Sequence, residues 1–163
     1  MSRKDFTKEQ AIAKLKELAE NIDFTLMSTD LSQPPFHIIP MSTKKVDTEG
    51  NIWFLSGKNS QHNQHIEEEE RTLLTYSDKS AMEFLTVYGA AKIITDKETC
   101  AALYGKADDM WFDGVDDPNL SAIKIMPSDV HYWDTKNGKF VALLKMGIAA
   151  ITGDEPDISE TEN

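Results

Sequence analysis

Short strand-like segments that alternate with tight turns fill most of the sequence, and this pattern constrains the fold more than any other feature. The turn residues "DTEGN" at Asp47–Asn51 separate two such segments, and Asn137-Gly138 separates two more. Asn-Gly is the preferred pair at the tip of a short β-hairpin. About six strands joined mostly as hairpins, with few helices between them, predict an antiparallel, barrel-like sheet in a mainly β (α+β) protein.

Local signals predict where helices begin and where strands become irregular. Thr7 and Gln10 have the spacing of a capping box, and apolar residues repeat behind them with helical periodicity. Asp96 is expected to cap another helix. Gly89 lies inside a long apolar strand and predicts a bend there, while Pro40 predicts an edge strand or a bulge.

The charge of the chain argues against one class of partner. The formal net charge is −11 over 163 residues, and part of the acid is clustered at Glu67–Glu70 and in the last residues of the chain. A nucleic-acid-binding surface requires clustered Lys and Arg, and no basic stripe occurs in the sequence. We therefore expect no nucleic-acid partner. We also expect one domain over 1–151, followed by an acidic, disordered tail at 152–163.

The remaining bulk features predict a cytoplasmic protein without a membrane partner. Cys100 is the only cysteine, so an internal disulfide is excluded, and this fits a reducing compartment. Its setting, "TCAAL", favours core packing over a catalytic thiol. The first ten residues, "MSRKDFTKEQ", contain no apolar segment of the signal-peptide type, and no apolar run approaches the ~20 residues of a membrane helix.

The segment Asn51–Arg71 combines a strand, a small polar loop and a short acidic helix. Proteins often hold a phosphate where a polar loop enters a helix. The helix start carries His62 and His65, three residues apart, which could share one face with Glu69. A zinc site would need a third ligand of suitable geometry, so we interpret these side chains as polar helix surface and predict no metal.

No motif for nucleophilic catalysis or nucleotide binding occurs: GxSxG, CxxC, the Walker loop and GxGxxG are all missing from the sequence. Chemistry in this protein would therefore have to come from a bound cofactor. Four aromatic residues lie in and after one acidic loop: Trp111, Phe112, Tyr132 and Trp133. Two interpretations stay open for them, namely core or dimer packing, and a wall beside a flat ring system.

The segment that contains these aromatics, "WFDGVDDPNLSAIKIMPSDVHYWD", resembles the closing signature of general stress protein 26-like proteins. That family belongs to the pyridoxamine 5′-phosphate oxidase-related, FMN-binding split-barrel superfamily. Further similarity lies in Pro40-Met41, in "IWFLSGKNS" and in "VYGAAKIITDKE", so that the resemblance spans residues 7–150. It implies a six-stranded antiparallel split β-barrel with flanking helices.

The resemblance also implies a homodimer with FMN in clefts at the dimer interface, and no catalytic residue is assigned. The strand with Pro-Met would lie along the flavin ring, the next strand end and helix start would hold the phosphate, and an aromatic loop would approach the cofactor. The implied cofactor-binding residues are Pro40, Met41, Ser42, Leu55, Ser56, Lys58, Ser60, Gln61, His62 and Trp111. The activity could be that of a flavin-dependent oxidoreductase of unknown substrate. The alternative is a non-enzymatic dimeric binding module with weakened or lost flavin binding.

Two departures from the family pattern affect the phosphate contacts. Ile39 stands where the family has Arg, and His62 stands where it has Lys. Each charge-assisted hydrogen bond contributes roughly 1.5–3 kcal/mol, so losing both costs about two to four decades of affinity. A protonated His62 or Lys58 could restore part of this loss, and Lys44 and Lys45 are also near in sequence. We therefore expect weakened or altered FMN binding.

Overall fold

The computed structural model describes residues 6–144 and 160–161. Helices and strands follow one another along the chain with short connections. Their bounds are α1 Lys8–Ile22, β1 Phe24–Thr29, β2 His37–Ser42, β3 Lys45–Val46, β4 Ile52–Gly57, α2 Gln61–Glu68, β5 Arg71–Asp78, β6 Glu83–Ile94, α3 Lys97–Leu103, a 3-10 helix Lys106–Met110, β7 Leu120–Asp134, β8 Lys139–Leu144 and β9 Glu160–Thr161.

All strands belong to one antiparallel sheet with the order β2-β1-β5-β6-β7-β4-β3, and β8 and β9 continue from β7. The 15-residue β7 pairs with β4 along its first half and with β8 along its second half, so the sheet curls around it into a half-barrel. The predicted class, a mainly β antiparallel split barrel, is confirmed. The predicted count of six strands is too low, because the sheet has nine strands within residues 6–144 and 160–161, including two of only two residues, β3 and β9.

One predicted strand divides in two because of a long-range contact. The stretch from residue 36 to 46, predicted as one strand, forms β2 and β3 with Thr43 and Lys44 between them. The Thr43 hydroxyl and backbone N–H both donate to the carbonyl of Asp23, at 2.7 Å and 3.1 Å. Because these bonds tie Thr43 to the end of α1, the chain changes direction there, and β3 pairs with β4.

The predicted irregularities of the strands are confirmed. The β6–β7 register shifts between Tyr88 and Gly89, and a Cβ atom on Gly89 would lie 2.3 Å from the carbonyl oxygen of Met126. Pro40 lies on β2, which is at one edge of the sheet and pairs only with β1. The turn after β7 is longer than a two-residue hairpin loop, and Gly138 takes the positive φ of 66°.

The core lies between the inner face of the sheet and α1. Thr7 and Gln10 form the predicted capping box, and the apolar face of α1 is buried against the sheet. A second, smaller cluster lies under α3, where Cys100 is buried and packs with Leu103. Burial raises the pKa of the Cys100 thiol, which is consistent with a packing role.

Among the described residues, no helix combines the length and the apolar character needed to cross a bilayer. The predicted boundary at residue 151 and the acidic tail lie outside the described residues, apart from the short strand β9. The boundary therefore stays a prediction.

Candidate functional site

Strand β2 presents two different faces. His37, Ile39 and Met41 point to the inner side, where Ile39 and Met41 pack against the core. Pro40 and Ser42 point outward and are exposed, and the Ser42 hydroxyl donates to Asp23 Oδ1 at 2.6 Å. Ile39, at the position where the resemblance implies an Arg, therefore packs partly buried against the apolar core.

The end of β4 contributes buried side chains rather than free hydroxyls. Leu55 is half-buried against the cluster under α3. The Ser56 hydroxyl lies 2.8 Å from Ser121 Oγ, and Ser121 Oγ lies 3.0 Å from both the Ser56 carbonyl oxygen and Asn63 Nδ2. Since Ser121 has one proton and donates it to the Ser56 carbonyl, it accepts from Ser56 Oγ and from Asn63. Ser56 therefore joins β4 to β7 and α2.

The loop after β4 is held by Asn119 and closed by the start of α2. The Lys58 N–H donates to the Asn119 carbonyl at 2.8 Å, and the Asn59 N–H to Asn119 Oδ1 at 3.3 Å. The Ser60 hydroxyl caps α2 by accepting from the Asn63 N–H at 3.2 Å. The amides at the start of a helix have no partner within the helix, so those of Gln61 and His62 are suited to an anion.

Three imidazoles gather beside this helix start. The ring of His37 on β2 is nearly parallel to that of His62, with centroids 6.5 Å apart, and lies edge-on to His65 at 5.0 Å. Thr29 Oγ1 lies 3.2 Å from Nδ1 of His65. His62 Nε2 is buried without a hydrogen-bond partner. The cluster brings β1, β2 and α2 together at one place.

Burial, followed by the neighbouring His37 and His65 rings, lowers the pKa of His62 to about 4. The ligand-free protein therefore has an uncharged His62 at neutral pH, and this ring does not replace the missing lysine under those conditions. The part of the chain that the structure describes contains no group of three His, Cys, Asp or Glu side chains arranged to hold a metal ion. The absence of a metal stays a prediction.

The lysines that lie near this site in sequence differ in whether their ammonium groups are free to bind an anion. Lys44 Nζ lies 2.6 Å from Asp108 Oδ2 and is committed to that ion pair. Lys45 lines a groove of about 300 Å³ beside Trp53, under α3. The side chain of Lys58 is exposed on the loop before α2.

The four aromatic residues of the acidic loop and β7 have separate roles. Tyr132 is buried, with its ring edge-on to Phe6 at 6.2 Å, and Phe112 packs against the cluster under α3. Trp133 lies edge-on to Phe140 at 5.3 Å. Trp111 is 78% exposed, and the Lys44–Asp108 pair joins its loop to the segment after β2. Only Trp111 remains free to contact a flat ligand.

The outer face of the sheet near β2 carries an exposed apolar patch. Phe24 is 64% exposed, Leu26 50% and Ile38 54%. Leu26 pairs with Pro40 and Phe24 with Ser42 across β1 and β2, so these side chains are cross-strand neighbours. Exposed apolar side chains that lie together in this way are the kind of surface on which protein partners often bind.

Sequence reasoning missed four residues of this region: Thr29, His37, Asn63 and Ser121. His37 had a usable signal, because alternation along a strand puts it on the same face as Ile39. The other three side chains meet the site only through the order of the strands and the position of α2, and nothing in the local sequence indicates this.

Comparisons with known proteins assign the family through a family model and the fold through solved structures. The model of the family described as pyridoxamine 5′-phosphate oxidase like matches residues 10–157. No curated protein matches the chain.

Three solved structures illustrate the shared fold. General Stress Protein 26 from Bacillus anthracis has a TM-score of 0.68 at 18% identity, over 80% of this chain and 97% of that one. A protein related to general stress protein 26 from Clostridium acetobutylicum gives 0.71 at 18% identity, over 86% and 97%. The general stress FMN/FAD binding protein from Xanthomonas citri gives 0.65 at 22% identity, over 78% and 89%. At these identities the likeness shows the fold alone.

Proposed function

The chain belongs to the pyridoxamine 5′-phosphate oxidase like family, and from this membership we propose that it binds FMN as a homodimer. FMN, when bound, supplies transfer of electrons between a donor and an acceptor, and the protein supplies orientation and exclusion of water. The proposed activity is that of a flavin-dependent oxidoreductase whose substrate is open. A solved structure of the same fold is that of a general stress FMN/FAD binding protein, which supports the choice of ligand.

The observation that carries the proposal is the meeting of β2 with the start of α2. The resemblance assigns the flavin ring to the Pro40-Met41 strand and the phosphate to the helix start. His37 on β2 contacts the rings of His62 and His65 on α2, so the two segments lie side by side. A ligand with a flat ring and a phosphate tail could span them.

The residues have distinct roles in this proposal. Backbone groups of Pro40, Met41 and Ser42, on the edge strand, would lie along the ring. The amides of Gln61 and His62 would face the phosphate, with Lys58 as the exposed cation nearest in sequence. Ser56 and Leu55 would support the loop from below, because their side chains are buried or half-buried in the fold.

The homodimer is proposed from the apolar patch formed by Phe24, Leu26, Ile38 and Pro40. A second copy of the chain would cover this surface, and symmetric pairing of one patch with itself is the commonest way for a chain of this size to do so. The test is Leu26→Asp, which would place a charge in the middle of the interface. We expect a dimer for the wild type and a monomer for the variant by analytical ultracentrifugation. Val115→Asp, at an exposed apolar position on the loop between Trp111 and β7, outside the patch, is the matched control.

A second candidate function is favoured because the two residues at the positions of the family's Arg and Lys carry no positive charge at neutral pH. Ile39 packs in the core, and His62 is neutral at pH 7. A dimeric binding module that keeps the fold without tight flavin binding is consistent with both facts.

Titration of the ligand-free protein with FMN, followed by flavin fluorescence, separates the two candidates. Saturable binding supports the proposal, and its absence at every pH supports the binding module. The double variant Ile39→Arg with His62→Lys restores the family's cations and should raise FMN affinity by about two decades or more. If the double variant binds no better than the wild type, the cleft serves another ligand.

A further inference from the structure

The histidine cluster extends beyond the contacts expected from the family pattern. Three of the four histidines of the chain gather at one place from two elements, one on β2 and two on α2. The only side-chain partner described for the cluster is Thr29, at 3.2 Å from His65 Nδ1. His62 Nε2 is buried and has no hydrogen-bond partner. A buried polar atom without a partner calls for a ligand or for another explanation.

The charges that act on His62 are those of the other two rings, and both oppose its protonation. Glu69, at the end of α2, is bound instead to Arg71 through two contacts of 2.8 Å and 2.9 Å. The other titratable groups on the surrounding elements form no described hydrogen bond or ion pair with the three rings. These groups are Asp30 after β1, Glu67, Glu68 and Glu70 in and after α2, and Glu83, Tyr88 and Lys92 on β6.

Protonation of the cluster would thus gather positive charge that no carboxylate among the described residues contacts. Such an arrangement favours an external anion, since a protonated imidazole has two N–H donors and a neutral one has a single donor. The amides at the start of α2, the helix that carries His62 and His65, are further donors suited to an anion. A phosphate group is an anion that accepts several charge-assisted hydrogen bonds at once, which suits a cluster of this kind.

We propose that His37, His62 and His65 form a pH-dependent phosphate site, in which the rings take up protons as the anion binds. The inference rests on the proposed function, because the phosphate in question is that of FMN. The three histidines would then take the place of the Arg and Lys of the family pattern. Their rings would be positively charged only when the anion is bound and the pH is low enough for them to be protonated.

Proton linkage sets the expected size of the effect. Each proton taken up on binding changes the affinity about tenfold per pH unit. Binding of FMN should therefore strengthen as the pH falls from about 8 to about 6, where the phosphate itself begins to protonate and the gain levels off. Riboflavin has the same ring and no phosphate, so its affinity should stay constant over this range.

The first experiment titrates the full chain with FMN and with riboflavin at several pH values, with EDTA present to remove metal ions. We expect a rise in FMN affinity of about tenfold or more per pH unit and a flat riboflavin profile. His37→Gln and His65→Gln should each reduce the FMN slope while riboflavin binding is unchanged. Identical pH profiles for the two flavins, or an unchanged slope in both variants, would overturn the inference and leave flavin binding in place.

A second experiment does not require flavin or a variant. The imidazole proton signals of the wild type are followed by NMR during titration with inorganic phosphate near pH 6. We expect three signals to shift together, while that of His131, on β7, stays constant as an internal reference. Shifts without any flavin binding would uphold the phosphate site and refute the proposed function. If phosphate moves none of the three signals, the inference is refuted.

Discussion

Lys44 Nζ lies 2.6 Å from Asp108 Oδ2, and this ion pair joins the segment after β2 to the loop that carries Trp111. Asp108 Oδ2 also accepts the Gly105 N–H at 2.8 Å. One carboxylate therefore connects the segment after β2, the strand that we propose to lie along the flavin, with the loop of the exposed tryptophan.

Lys44→Met should destabilise the protein by about 1–2 kcal/mol, because it leaves a largely shielded carboxylate without its cation. The side chains of Lys44 and Asp108 are only 21% and 15% exposed. Lys16→Met removes an ion pair of the same 2.6 Å length whose side chains are 52% and 33% exposed. That control should cost about 0.5 kcal/mol. Urea unfolding measures the free energy of unfolding of both variants. Equal decreases would contradict a larger stabilisation by the shielded Lys44–Asp108 pair.

Gly89→Ala should destabilise the protein by about 3 kcal/mol, because the new methyl group would collide with backbone atoms of β7. The added Cβ would lie 2.3 Å from the Met126 carbonyl oxygen. Gly138→Ala is the control: its φ of 66° is strained for alanine, but nothing lies within 4 Å of its Cβ. We expect a loss of about 1–2 kcal/mol there. A smaller decrease in the free energy of unfolding for Gly89→Ala than for Gly138→Ala would refute the close approach of Gly89 to the backbone of β7.

Ser121→Ala should lower the free energy of unfolding by about 2–3 kcal/mol, because buried polar atoms of Ser56 and Asn63 would lose their hydrogen-bond partner. Ser128→Ala is a matched control on the same strand, since the Ser128 hydroxyl makes a contact of 3.1 Å with the Tyr88 carbonyl and is only half-buried. That change should cost less than about 1 kcal/mol. Chemical unfolding measures the free energy of unfolding of the two variants. Similar decreases in both would argue against a hydrogen-bond network centred on Ser121.

Acid should destabilise the ligand-free protein through His62. The pKa of His62 is lowered from 6.5 to about 4 in the folded state, first by burial and then by His37 and His65. Between these two values the unfolded chain binds more protons than the folded one, so stability falls as the pH falls through that window.

The urea midpoint of the wild type should therefore decrease from pH 6.5 towards pH 4, and the decrease should be smaller in His62→Gln. Added phosphate should oppose the loss in the wild type, because an anion at the cluster favours the charged rings. A midpoint that is equally sensitive to pH in both proteins would assign the acid effect to other groups.

The features that could be predicted from the sequence are those with local causes. The capping box at Thr7 and Gln10, the cap at Asp96 and the bend at Gly89 each depend on residues close in the chain, and each is present. Pro40 likewise indicated an edge strand, because its missing N–H excludes it from the middle of a sheet.

The features that could not be predicted depend on contacts between distant segments. The break at Thr43 arises from its bonds to Asp23, and the histidine cluster arises because β2 lies beside α2. Sequence reasoning interpreted His62 as helix surface or as a cation, whereas the fold half-buries it beside two other imidazoles. Ring stacking and burial of this kind require the arrangement of the sheet to be known.

Pro40 lies in the edge strand β2, and this position disfavours the addition of a strand from another molecule. Open strands are templates on which extended segments of other molecules can add, and β2 carries an exposed isoleucine that would favour such growth. A chain that docked along β2 would meet, in the middle of six residues, a position that cannot donate a backbone hydrogen bond. We therefore expect the proline to weaken the pairing of a further strand along this edge of the sheet.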